Sequence, residues 1–79
     1  SVKIDRSIIQ KKITIIDLII FSKLENSKSE IRRLIKGKAV KLNNRNIDNN
    51  NFVIESNLFN ENFLKLSIGK KRHIKIELI

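Results

Sequence analysis

The end of the chain leaves the backbone least choice. Leu64, Leu66 and Ile68 alternate with Lys65 and Ser67, and Ile74, Ile76 and Leu78 alternate with His73, Lys75 and Glu77. Between the two runs lies Gly69-Lys70-Lys71-Arg72. A period of two is a strand pattern, and two such runs around a Gly-led turn predict a β-hairpin. One face is aliphatic and marks the core side; the other carries Lys65, His73 and Lys75, with the basic turn at its end.

Upstream the period becomes helical. Thr14 opens a helix, with Asp17 three residues on as an imperfect capping box. Ile15, Ile16, Leu18, Ile19, Ile20 and Phe21 nearly surround it with apolar groups, so it must be buried on most sides. Leu24-Glu25-Asn26 links it to a second helix, making a helix–turn–helix-like pair. There Ser27 and Glu30 form a capping-box pattern, and Gly37 supplies a left-handed stop. At 100° per residue Lys28, Arg32 and Lys36 fall along one edge, while Ile31, Leu34 and Ile35 fall on the opposite, core side.

Beyond Gly37 the pattern returns to strand. Val40 and Leu42 point one way, Ala39 and Lys41 the other. Asn43-Asn44-Arg45-Asn46 is a turn in which Asn44 tolerates positive φ, and Ile47 begins a return strand. Asp48 to Asn51 is a polar loop, and Phe52-Val53-Ile54 returns to the core. Glu55 to Asn62 is a second loop, with Leu58 and Phe59 plugging the core edge. Residues 1–12 read as a linker or a leading strand around Val2 and Ile4; residues 13–79 read as the domain. The expected class is α+β, two short packed helices against a small, mostly antiparallel sheet.

Composition removes whole classes of function. The 79 residues include no Cys and one His. Disulfides, a thiolate nucleophile and Cys- or multi-His metal sites are therefore excluded. No paired carboxylates, Gly-rich phosphate loop or nucleophile motif beside His73 supports catalysis, so His73 reads as exposed. The longest nearly apolar run, Ile13 to Phe21, is interrupted by Thr14 and Asp17, well short of the roughly 20 residues a membrane span needs. No secretory signal pattern precedes it, and the first residue is Ser, as expected of a processed chain or a piece of a longer one.

What remains is charge. Seventeen Lys and Arg against eight Asp and Glu give +9, which points to a polyanion partner. Two clusters carry it: Lys28, Arg32, Arg33 and Lys36, extended by Lys38 and Lys41, and Lys70, Lys71 and Arg72. Cations on a firm scaffold suit phosphate contacts. Single-strand binders stack bases on exposed aromatics; here the four Phe all fit core or core-edge positions. A folded RNA backbone is the expected target.

These residues carry a family resemblance. Thr14 to Asn44 resembles the RNA-binding module named after small-subunit ribosomal protein S-four. The wider chain, roughly Ile13 to Ile79, resembles the C-terminal domain of bacterial-type tyrosyl-tRNA synthetases. Three pieces carry it: Ser27-Lys28-Ser29-Glu30 with Arg32-Arg33-Leu34-Ile35; Val40-Lys41-Leu42-Asn43; and Gly69-Lys70-Lys71. The last separates the synthetases from other carriers, such as pseudouridine synthases and a small heat-shock ribosome-binding protein. Two positions depart from the family pattern. Gly37 is followed by Lys38 rather than a second glycine, and Asn44 stands where glycine is usual.

The resemblance implies a domain without an active site that grips tRNA, in particular tRNA for tyrosine, in the cytoplasm or an organelle. Lys28, Arg32, Arg33 and Lys36 would line the contact, with Lys70 and Lys71 nearby. It implies that ATP and tyrosine bind an upstream catalytic domain, that no cofactor binds here, and that the full-length protein is a homodimer through that domain. The alternative is a stand-alone RNA- or ribosome-binding protein with the same module. A membrane-surface or protein-interaction module is a different class, and an independent enzyme is the least supported.

Overall fold

The computed structural model describes all 79 residues. In chain order the elements are β1 (Val2–Ile4), α1 (Arg6–Gln10), α2 (Ile15–Ser22), α3 (Lys28–Lys36), β2 (Val40–Leu42), β3 (Arg45–Asn46), a 3-10 turn (Ser56–Leu58), β4 (Phe63–Ile68) and β5 (Arg72–Leu78). The strands form one sheet in the order β1-β5-β4-β2-β3. Only β1–β5 is parallel; the other pairs are antiparallel.

The C-terminal hairpin is the centre of the sheet. Leu64 lies opposite Ile76 and Leu66 opposite Ile74, so the aliphatic alternation of both strands meets on one face. Ile4, Val40, Leu42, Leu64, Leu66, Ile68, Ile76 and Leu78 are buried there with Ile15, Ile16, Leu18 and Ile19 of α2 and Ile31 and Ile35 of α3. The α+β class expected from the sequence is the class observed. β5 begins at Arg72, a residue that alternation alone places in the turn.

Residues 1–12 contain the expected leading strand and also a short helix that weak periodicity concealed. Asp5 caps α1 by accepting from Ser7 N–H at 2.8 Å. Ile4 and Ile9 enter the core, and Ile79 N–H donates to the Ile4 carbonyl at 2.9 Å. The return strand of β2 is Arg45–Asn46 rather than a segment starting at Ile47. Asn43 (φ 50°) and Asn44 (φ 70°) are both left-handed, as a two-residue hairpin turn requires. Asn43 also ties this turn inward, donating to the Leu58 carbonyl and accepting from Lys65 N–H.

Capping differs from the sequence pattern in an instructive way. The complete capping box is the one at Thr14 and Asp17, where both reciprocal bonds form. At α3 only half forms. Ser27 Oγ accepts from Glu30 N–H at 3.3 Å, but Ser27 N–H donates to Glu25 Oε2 at 3.2 Å. The donor that Glu30 would have served is taken, and Glu30 pairs with Arg33 instead at 3.0 Å.

The helix stop also moves. Gly37 has φ −81°, and the left-handed residue is Lys38, at φ 62°. Lys38 N–H donates to the Ile35 carbonyl and Ala39 N–H to the Leu34 carbonyl, the paired bonds of a Schellman close. A side chain in the left-handed region is strained. Lys38→Gly should therefore raise stability by about 0.5–1 kcal/mol, despite adding chain entropy; urea denaturation showing a loss would mean that Lys38 contributes contacts that outweigh its backbone strain.

The near-complete apolar coat of α2 is not fully covered. Ile15, Ile16, Leu18 and Ile19 are buried and Ile20 is half-buried, but Phe21 is 36% exposed. Of the four Phe, then, Phe59 is core and Phe52 core-edge, whereas Phe63 is half-buried on the outward face of the sheet, opposite Glu77, and Phe21 is at the surface. That side of α2 is left partly open.

Candidate nucleic-acid interface

α3 presents its cations because its other side is occupied. Ile31 and Ile35, one turn apart, are buried at 0% and 1% exposure. Leu34 is only half-buried at the edge of the core, so its place in the core is peripheral where the sequence pattern made it central. Lys28, Arg32, Arg33 and Lys36 are all exposed. The spacing of four along Lys28, Arg32 and Lys36 repeats a cation about every 6 Å along one edge. Arg33 meets Glu30, but that pair is i,i+3, with the Arg33 side chain 78% exposed. Such a pair contributes little and is easily exchanged for a phosphate.

Lys38 follows directly, exposed, with its carbonyl fixed by Asn46 Nδ2 at 2.7 Å. Lys41 is not part of the α3 stripe. It lies between buried Val40 and Leu42 in β2, so its side chain leaves the opposite face of the sheet.

The second cluster divides in the same way. Lys70 and Lys71 are exposed in the turn after Gly69, whose φ of 67° suits glycine. Arg72 is committed within the fold. Its Nη1 donates to the Leu24 carbonyl at 3.0 Å and to Glu25 Oε1 at 3.3 Å. The base of the basic turn is thereby fastened to the linker that enters α3, and Gly69 N–H donates to the Ala39 carbonyl at 2.8 Å just beyond α3. The two ends of the basic turn are thus tied to the segments that enter and leave α3, although turn and helix are far apart in sequence.

Glu25 makes that junction, and from sequence it looks like plain linker. Its carboxylate accepts from Asn26 N–H, Ser27 N–H and Arg72. The Ser27 N–H, then the Arg72 hydrogen bond, hold its pKa below the ordinary carboxylate value, against a smaller opposing effect of desolvation. It stays ionised and paired at neutral pH. The local signal was an acid two residues before a helix cap; its distant partner had none.

No buried side-chain nitrogen or oxygen lacks a partner. A cleft of about 420 Å³, lined by Arg6, Ile9, Lys12, Val53, Glu55 and Leu78 among others, shares no residue with either cluster. No helix is long and apolar enough to cross a membrane. The chemistry on offer is a cationic surface on a rigid support.

Comparison with known proteins bears on what such a surface meets. Residues 3–76 match the family described as the tyrosine–tRNA ligase SYY-like C-terminal domain. A tyrosine–tRNA ligase of Pelagibacter ubique is 52% identical over 77 residues, covering 98% of this chain and 19% of that protein. One from Rickettsia massiliae is 38% identical over 79 residues, covering 99% of this chain and 19% of its own length. One from Borrelia garinii is 40% identical over 70 residues, covering 89% and 17%. The chain thus spans about a fifth of the length of the curated relatives it matches.

Proposed function

Since this chain belongs to the tyrosine–tRNA ligase SYY-like C-terminal domain family, we propose that it is the tRNA-gripping domain of a tyrosyl-tRNA synthetase. The basic edge of α3 and the Lys70-Lys71 turn neutralise phosphates and fix the orientation of tRNA for tyrosine. The domain itself does no chemistry. ATP and tyrosine bind elsewhere in the longer protein, which charges the tRNA presented to it and pairs as a homodimer through its catalytic part.

The observation that carries this reading is the clasp of Arg72 on Glu25, which holds a second cation pair beside the basic edge of α3. Phosphate contacts position an RNA without reading its sequence, so the contribution is to register and orientation. The test is an NMR titration of the chain with tRNA for tyrosine, against an equally long tRNA of another type. Shifts should concentrate in Lys28–Lys36 and Gly69–Lys71. Shifts confined to other elements would reject the surface, and equal binding of both tRNAs would reject its selectivity.

Glu25 makes a prediction of unusual sign. Removing an acid from a cationic surface ordinarily strengthens polyanion binding. If Glu25 positions the turn, Glu25→Ala should instead weaken tRNA binding, by a few-fold, although the net charge rises. An increase in affinity would show that the clasp has no part in the contact.

A further inference from the structure

The outward face of the sheet is a second cationic surface that α3 and the turn do not use. Register places Lys3 opposite Glu77, Lys65 opposite Lys75, and Lys41 opposite Ser67, itself opposite His73. Directly paired residues share a face, and the aliphatic partners of these strands all take the other. Lys3, Lys75, Lys65 and Lys41 therefore step diagonally across β1, β5, β4 and β2, and all four are exposed. Strand spacing and rise make that band about 20 Å long. Among the sheet residues of this face Glu77 is the only acid, and it is half-buried.

Two details indicate an anion. Lys65 and Lys75 form a directly opposed like-charge pair, an unfavourable arrangement in a sheet. Neither takes part in a salt bridge, since the ion pairs of the molecule are Arg33–Glu30 and Arg72–Glu25. Lys75 Nζ lies 5.0 Å from the centre of the Phe63 ring, which holds the ammonium on the face and occupies the ring against base stacking.

We infer that this face binds the sugar–phosphate backbone of a second RNA segment, separate from the one on α3. The inference rests on the RNA reading above and extends its contact from one surface to two. A protein partner fits poorly. Protein interfaces anchor on aromatics, Met and Arg and deplete Lys, whereas the exposed side chains of these strands on this face are Lys3, Lys41, Lys65, His73 and Lys75 among others, with no exposed large apolar residue among them; Phe21 and Val53 lie outside the strands. With no free aromatic, the face takes backbone and not bases.

The experiment is a salt titration of the affinity of this chain for tRNA for tyrosine, followed by fluorescence anisotropy. Lys41→Gln with Lys65→Gln and Lys75→Gln should lower the magnitude of the log–log slope by about 2, at roughly 0.7–0.9 per lost contact. Its effect should multiply with that of Arg32→Gln with Lys36→Gln. Lys65→Glu alone should weaken binding while leaving the melting temperature unchanged or higher, because it turns a like-charge pair into an opposite one. Sheet variants that keep parental affinity and slope, while the helix variant loses both, overturn the second surface, whether or not they impair contact with an acidic protein. Weakened binding with a lowered melting temperature in Lys65→Glu also overturns it. If helix and sheet variants alike bind as the parent does, the RNA reading itself fails.

Discussion

Replacing Lys28, Arg32 and Lys36 together with alanine should lower tRNA affinity by roughly two orders of magnitude at 0.1 M salt. The estimate comes from counterion release. Each phosphate neutralised contributes a log–log slope of about 0.7–0.9, which at 0.1 M is about five- to eightfold per contact. Three contacts multiply. The salt slope should shrink by about 2–3 at the same time. That second readout matters, because a merely misfolded variant would lose affinity without a proportionate change in slope. The three side chains are exposed and take no part in the core, so thermal stability should change little. An unchanged affinity and slope would show that α3 is not the RNA surface. Arg33 belongs to the same surface, but its pairing with Glu30 makes its single substitution harder to read.

Ile31→Ala should cost about 2–5 kcal/mol, the usual penalty for deleting a fully buried aliphatic side chain and leaving a cavity. For a domain of this size total stability is about 4–12 kcal/mol, so this single change removes a large part of it. Ile31 is 0% exposed and is how α3 is seated on the core. Leu34→Ala should cost distinctly less, because Leu34 is half-buried and part of its surface is already in water. Urea denaturation of the two variants side by side decides the orientation of the helix. A larger loss at Leu34 than at Ile31 would mean that α3 is turned differently, and the cationic edge with it.

These two predictions use parts of the molecule that were legible to different degrees. The cationic edge follows from a spacing of four and needs no partner to be seen. The seating of the helix was only half legible. Periodicity put Ile31, Leu34 and Ile35 on one side, but it does not say how far around the helix the core reaches. The sheet edge and α2 decide that, leaving Leu34 at the margin. The same limit applies to Phe21, whose apolar neighbours imply burial on a side that stays partly open to solvent.

Sequence by itself determined what is local. Alternation over Leu64–Ile68 and Ile74–Leu78 sets a hairpin, because a strand shows its two faces every second residue. A helical period with a Ser cap sets α3, because backbone donors at a helix start need acceptors within a few residues. The net charge of +9 and its arrangement in two clusters are equally visible. Tertiary structure alone decided what depends on distant partners. Ser27 N–H goes to Glu25 and not to Glu30; Lys38, not Gly37, takes the left-handed close; Lys41 leaves by the far face of the sheet. Above all, Arg72 crosses 47 residues to Glu25, joining the basic turn to the basic helix. No periodicity encodes such a contact, since its geometry exists only after the sheet and helices have packed on one core.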